Sequence, residues 1–93
     1  MILSLALDNE TLYRGLDIAT EAGRLNLRTA PEQAIATMIV NLQNMPIDPE
    51  EVILTGSMAI WAYLAVFHFL HGRTRRIYYE DGRGDRFLVA AHG

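Results

Sequence analysis

The chain opens with Ile2-Leu3-Ser4-Leu5-Ala6-Leu7, an apolar run that predicts a strand, closed by the turn formers Asp8-Asn9-Glu10. Residues 11–18 are expected to return as a second strand and complete a hairpin, although Gly15 interrupts them. Residues 19–28 carry no period. A helix follows. Thr29-Ala30-Pro31-Glu32 matches a capping box with Pro in the first turn, and Ile35, Met38, Ile39 and Leu42 then fall on one face. Asn44 and Pro46 end that helix, and Pro46-Ile47-Asp48-Pro49 makes a rigid connector. Glu51-Val52-Ile53-Leu54-Thr55 is a short strand stopped by Gly56. Ser57 is placed to cap a second helix that runs to about His71, with Gly72 as its stop. That helix is apolar on nearly every side until His68, so a sheet or a partner subunit must enclose it. Residues 75–80 and 86–91 form a final pair of strands around the turn Asp81-Gly82-Arg83-Gly84-Asp85. The order β, possible β, α, β, α, β, β predicts an α+β sandwich: one mixed or antiparallel sheet with two helices on it.

Composition narrows the class. Ninety-three residues, 51% apolar and 20% charged, fit one folded domain spanning 1–93 and not a disordered chain. A chain this short buries a limited share of its surface alone, which makes oligomerisation expected. The longest apolar run, residues 58–67, is half of the roughly 20 residues a spanning helix needs. The start of the chain has no basic flank and meets Asp8 and Glu10 at once, unlike a secretory signal. Cysteine is absent, which rules out disulfides and cysteine-based zinc and fits a reducing cytoplasm. The expected location is cytoplasmic, without a membrane partner.

The charge of −3 argues against a general coat for long nucleic acid, which would be basic. Its distribution says more. All eight basic residues are Arg. Residues 1–55 hold three Arg against eight acids, and residues 56–93 hold five Arg against three acids together with all three His. A compact anion is expected to bind the rear part, with the acidic front forming an outer hairpin and helix away from it.

Three features in the rear part bear chemistry. Thr55-Gly56-Ser57 joins a strand to a helix N-terminus, where free N–H groups and the dipole attract anions, yet the same turn serves any strand–helix junction. It lacks the GxxxxGK[ST] pattern of a nucleotide triphosphatase. His68 and His71 share a helix face at i, i+3 and suit a metal or a proton relay; two His near a helix C-terminus also simply complement the dipole. Neither HExxH nor a GxSxG elbow is present, which disfavours a zincin and a serine hydrolase. In the last turn, Asp81 is a candidate cation ligand and Arg83 a candidate fork for phosphate, with His92 at the end of the following strand; the same residues suit a plain solvated hairpin loop.

Taken in order, Val52-Ile53-Leu54-Thr55-Gly56, Ile60-Trp61, Leu64-Ala65, His68, His71, Tyr79, Asp81-Gly82-Arg83 and His92 resemble a known family. It is the small metal-dependent ring nucleases of type III CRISPR systems, which degrade cyclic tetra-adenylate. The likeness covers about 40 residues, and no single motif in it is diagnostic. The chain departs from the pattern at Gly56-Ser57-Met58-Ala59, where the family has a Gly-x-Gly-Pro-type turn, and at Glu80, which stands between Tyr79 and Asp81. The resemblance implies a ferredoxin-like fold, a catalytic role for His71, and manganese on Asp81, which is thereby also catalytic; His68 is a second candidate for proton transfer on the chemistry of imidazole alone. It further implies that Arg83 and His92 hold phosphate or ribose while the Gly56-Ser57 turn cradles the ring. Dimers are expected to sandwich the cyclic ligand, with the site shared across an interface. The expected activity is hydrolysis of a cyclic oligoadenylate messenger, ending an antiviral signal. Two other classes fit the residues: a sensor that binds a cyclic nucleotide without cutting it, and a structural module in which helix 57–71 forms a dimer core.

Overall fold

The computed structural model describes residues 1–92. Its elements are strand β1 (Ile2–Ser4), strands β2 (Ile18–Glu21) and β3 (Arg24–Leu27), helix α1 (Pro31–Gln43), strand β4 (Glu51–Thr55), helix α2 (Ile60–Leu70) and strands β5 (Arg76–Glu80) and β6 (Arg86–Ala91). Four strands form one mixed sheet in the order β1-β4-β5-β6, and β2 and β3 form a separate hairpin. β1, β4 and β5 run parallel, and β6 returns antiparallel to β5. The expected α+β plan of a mixed sheet with two helices is therefore present. A ferredoxin-like domain shares that two-layer plan under the element order βαββαβ. In this chain each helix joins two neighbouring parallel strands, and the last pair is a hairpin.

The connections explain the layers. A helical link between parallel strands takes a right-handed crossover. The sheet steps in one direction, from β1 to β4 to β5, so both helices fall on the same face, where they touch. The core lies between. Leu3, Val52, Leu54 and Ile77 point from the strands onto Met38 and Leu42 of α1 and onto Ala62, Val66, Phe69 and Leu70 of α2. The opposite face has no helix and carries the row Ile2, Ile53, Tyr78 and Leu88, in register across all four strands. Ion pairs Glu51–Arg76 (3.8 Å) and Glu80–Arg86 (2.9 Å) bracket that row.

Several local expectations are corrected. Residues 11–18 do not return as a strand. They form successive turns in which Leu12 and Tyr13 are both buried, and the Tyr13 hydroxyl donates to the Leu5 carbonyl. Asn41 of α1 holds this segment down by donating from Nδ2 to the carbonyls of Leu12 (2.8 Å) and Arg14 (3.0 Å). The hairpin lies later, in β2 and β3, around Ala22 and Gly23 at φ 51° and 74°. Two successive residues at positive φ fit the primed turn that matches strand twist. The expected capping box does not form. The N-cap of α1 is Ala30 without a side-chain bond, because the Thr29 hydroxyl accepts the N–H of Asp17 (2.9 Å) and so ties the hairpin base. Ser57 does not cap α2 either. The extended residues Met58 and Ala59 intervene, and α2 starts at Ile60 with no side-chain cap. Among the described residues no helix is long and apolar enough to cross a membrane.

Candidate functional site

The parallel strands give the sheet two unlike ends. β4 and β5 both point their carboxyl ends at the Gly56–Ser57 turn and the 81–85 turn, so these two turns are neighbours. Between them lies a cleft of about 420 Å³ lined by Thr55, Gly56, Ser57, Met58, Tyr63, Tyr79, Glu80 and Gly82. Openings outside the carboxyl ends of parallel strands are the usual ligand sites of such sheets. Gly56 has φ +100°, and a Cβ there would lie 2.8 Å from both the Ala6 nitrogen and the Ser4 Oγ. Its bare Cα therefore lets β4 turn tightly past the chain leaving β1. The Tyr63 hydroxyl donates to the Gly56 carbonyl and holds the turn from the helix side. Tyr63 meets Tyr79 edge to face, with ring centroids 5.5 Å apart. Burial, then the neighbouring Tyr79, pushes the Tyr63 hydroxyl above its ordinary pKa. The sequence placed Tyr79 in the ordered motif set but gave neither tyrosine a role in the site; only the fold puts the pair beside Gly56.

On the other side of Ser57 lies a second cleft of about 370 Å³, lined by residues of the 6–8 segment and by Arg24, Leu25 and Asn26 of β3. The front half of the chain thus reaches this end of the sheet, contrary to the expectation that its hairpin lies apart. Arg24 comes from the acidic half, where the charge count hid it. Among the described residues Arg14, Arg24, Arg73 and Arg83 form no ion pair, Arg73 lying instead over the Phe69 ring, whereas Arg28, Arg75, Arg76 and Arg86 each face a glutamate.

Asp81 is occupied locally. Its Oδ1 accepts the N–H groups of Arg83 (2.8 Å) and Asp85 (3.0 Å), so it caps its own turn. Among the described residues no three His, Asp or Glu side chains gather as a metal-ligand group. Glu80, the nearest second carboxylate in sequence, pairs with Arg86. The described residues of one chain therefore do not by themselves form the expected manganese site on Asp81.

The histidines occupy the other end. His71 follows α2 as its C-cap, and its N–H donates to the Phe67 carbonyl (2.9 Å). His92 follows β6, and its N–H donates to the Arg75 carbonyl (2.7 Å). Their rings meet edge to face with centroids 4.4 Å apart. His68 is exposed one turn back along α2. His92 also lines a cleft with Pro49, Glu50, Gly72, Arg73, Thr74 and Arg75. The fold thus joins His71 to His92, and joins Gly56 and Ser57 to the turn bearing Asp81 and Arg83. It does not join the two groups: the five residues of β5 separate them by roughly 17 Å. Comparison with protein-family models, with curated proteins and with solved structures finds no match to the chain.

Proposed function

We propose that the protein is a ring nuclease that hydrolyses a cyclic oligoadenylate, with cyclic tetra-adenylate as the first candidate. The observation that carries this is the arginine pair at the carboxyl end of the sheet. Among the described residues, Arg24, which lines the cleft on one side of Ser57, and Arg83, which belongs to the turn that closes the other, form no ion pair, and α2, which starts three residues after Ser57, has no side-chain cap. Guanidinium forks and helix N–H groups are suited to phosphodiester oxygens. The ordered likeness over residues 52–92 supplies the ligand class.

Cleavage needs charge offset on the phosphorane and a proton for the leaving oxygen. Arg83 supplies the first. His71, with His92 against its ring and His68 beside it, supplies the second, since an imidazole can donate and accept a proton. No step is assigned to a metal, because among the described residues of one chain no three His, Asp or Glu side chains gather to hold it. As the two groups lie at opposite ends of one sheet, a complete site draws its arginine end from one chain and its histidine end from another.

The same separation favours a second function, a sensor that binds the ring without cutting it. Incubation with cyclic tri-, tetra- and hexa-adenylate, with and without manganese, decides between them. Conversion of at least one ring to linear product is expected. Tight binding with the ring intact after long incubation selects the sensor, and neither binding nor cleavage of any ring overturns both.

A further inference from the structure

We infer that the groove between α2 and β6 is the seat of a second copy of this chain. Unlike the ring-nuclease proposal, it rests on packing alone. Each crossover helix covers the strands it joins, so β6 has no helix above it. The gap beside α2 is an apolar groove of about 360 Å³ whose lining includes Ile60, Leu64, Tyr79 and Val89, and Phe87 adjoins it as the register partner of Tyr79. Ile60 and Leu64 form a ridge at i, i+4 and are 77% and 64% exposed; Tyr79, Phe87 and Val89 are 37%, 52% and 49% exposed.

Three observations select a second copy as the occupant. Ridge and groove are adjacent on one chain, so a two-fold axis lays each ridge into the other chain's groove, the self-complementary arrangement a dimer requires. From Ile60 to Phe67, α2 has no charged side chain, so no charged partner is selected. The five side chains leave roughly 500 Å² open, and with the β6 backbone edge they approach the ~800 Å² that each partner of a standard interface buries. β6 is also an outer strand with three consecutive exposed apolar residues, Phe87, Leu88 and Val89, an edge that proteins seldom leave bare.

The test is sedimentation of the wild type with Leu64→Glu, Ile60→Glu and Val40→Glu, the last a 54% exposed apolar site on α1 outside the groove. The wild type and Val40→Glu are expected at twice the 10.5 kDa chain mass. Leu64→Glu and Ile60→Glu are expected at one chain mass with unchanged circular dichroism. Should Leu64→Glu lose its fold, Ile60→Glu, the more exposed position, decides. A wild type that stays at one chain mass up to about 100 µM overturns the inference, as does a dimer that survives both glutamates. Because no ring ligand is used, failure here is distinct from failure of the cleavage assay.

Discussion

The two ends of the central sheet are built on different principles. At the carboxyl end, turns carry the polar groups: Gly56 bends tightly against the 4–6 backbone, Asp81 spends its carboxylate on its own loop, and Arg24 and Arg83 are left without acidic partners. At the amino end, arginines face glutamates. Arg75 faces Glu50 at 3.5 Å, Arg76 faces Glu51, Arg73 lies over the Phe69 ring, and the rings of His71 and His92 meet. One end carries arginines without acidic partners among the described residues; the other carries two imidazoles in contact. Under the proposed function, binding chemistry and proton chemistry are divided between the ends of one chain.

The largest expected effect breaks this division directly. His71→Ala and Asp81→Ala are each expected to lower ring cleavage by about 10²- to 10⁴-fold while leaving the fold intact. Asp81 acts by shaping the turn that presents Arg83, so Asp81→Asn, which keeps a carbonyl acceptor, is expected to retain more activity than Asp81→Ala. Mixing the two inactive alanine variants is expected to restore a substantial fraction of the rate, since a mixed assembly holds one site with both ends intact. Absence of recovery on mixing, after subunit exchange is verified, would return the site to a single chain.

A smaller effect compares glycines at the two ends. Gly56 and Gly72 have φ of +100° and +88°. A Cβ at Gly56 strikes the Ala6 nitrogen and the Ser4 Oγ at 2.8 Å, whereas a Cβ at Gly72 meets nothing within 4 Å. Gly72→Ala should therefore cost only the backbone preference, about 1 kcal/mol. Gly56→Ala adds a clash with backbone that cannot yield cheaply, and should cost about 3 kcal/mol. Urea unfolding followed by Trp61 fluorescence measures both, and equal losses would remove the packing role assigned to Gly56.

How much of this was legible in the chain varied with burial. β4 and α2 carry long apolar runs, and α1 has a clear 3.6 period, so their existence could be read directly. β2 and β3 could not: they are four residues each, half-buried or exposed throughout, and their Ala22-Gly23 turn lacks the Asn-Gly signature of a hairpin. Missing them hid Arg24 from the site. Pattern also misled at residues 11–18, where a tertiary bond from Tyr13 to Leu5 overrides the strand tendency. The candidate residues were identifiable by type and order, but their grouping depends on strand direction. Once β4 and β5 run parallel, Gly56 and Asp81 must share one end, and the residues before β5 and after β6 must share the other. Periodicity carries no information on parallel against antiparallel pairing.

The smallest effect tests whether the two ends also divide the response to pH. Tyr63, at the carboxyl end, has its hydroxyl pKa raised above 10.0 by burial and by Tyr79. A raised value means the folded state holds its proton longer, so that contribution is complete below pH 10 and is lost as pH rises further. Tyr63→Phe should flatten part of the alkaline limb and, by deleting the bond to Gly56, lower stability by about 1 kcal/mol at neutral pH. Tyr13, raised by its own burial and then by Tyr63, keeps the rest of that limb. At the amino end the sign reverses. Asp48 Oδ1 accepts the N–H of Glu50 at 2.8 Å, and that bond lowers its carboxyl pKa below the ordinary 3.8. A lowered value means the unfolded state takes up protons first, so the contribution is complete above pH 4 and is lost as pH falls through the folded value. Asp48→Asn keeps an acceptor for the Glu50 N–H but removes the titration. Its urea midpoint should therefore fall less steeply than the wild type's between pH 4 and pH 2. An acid limb identical to the wild type's would show that other carboxylates set it.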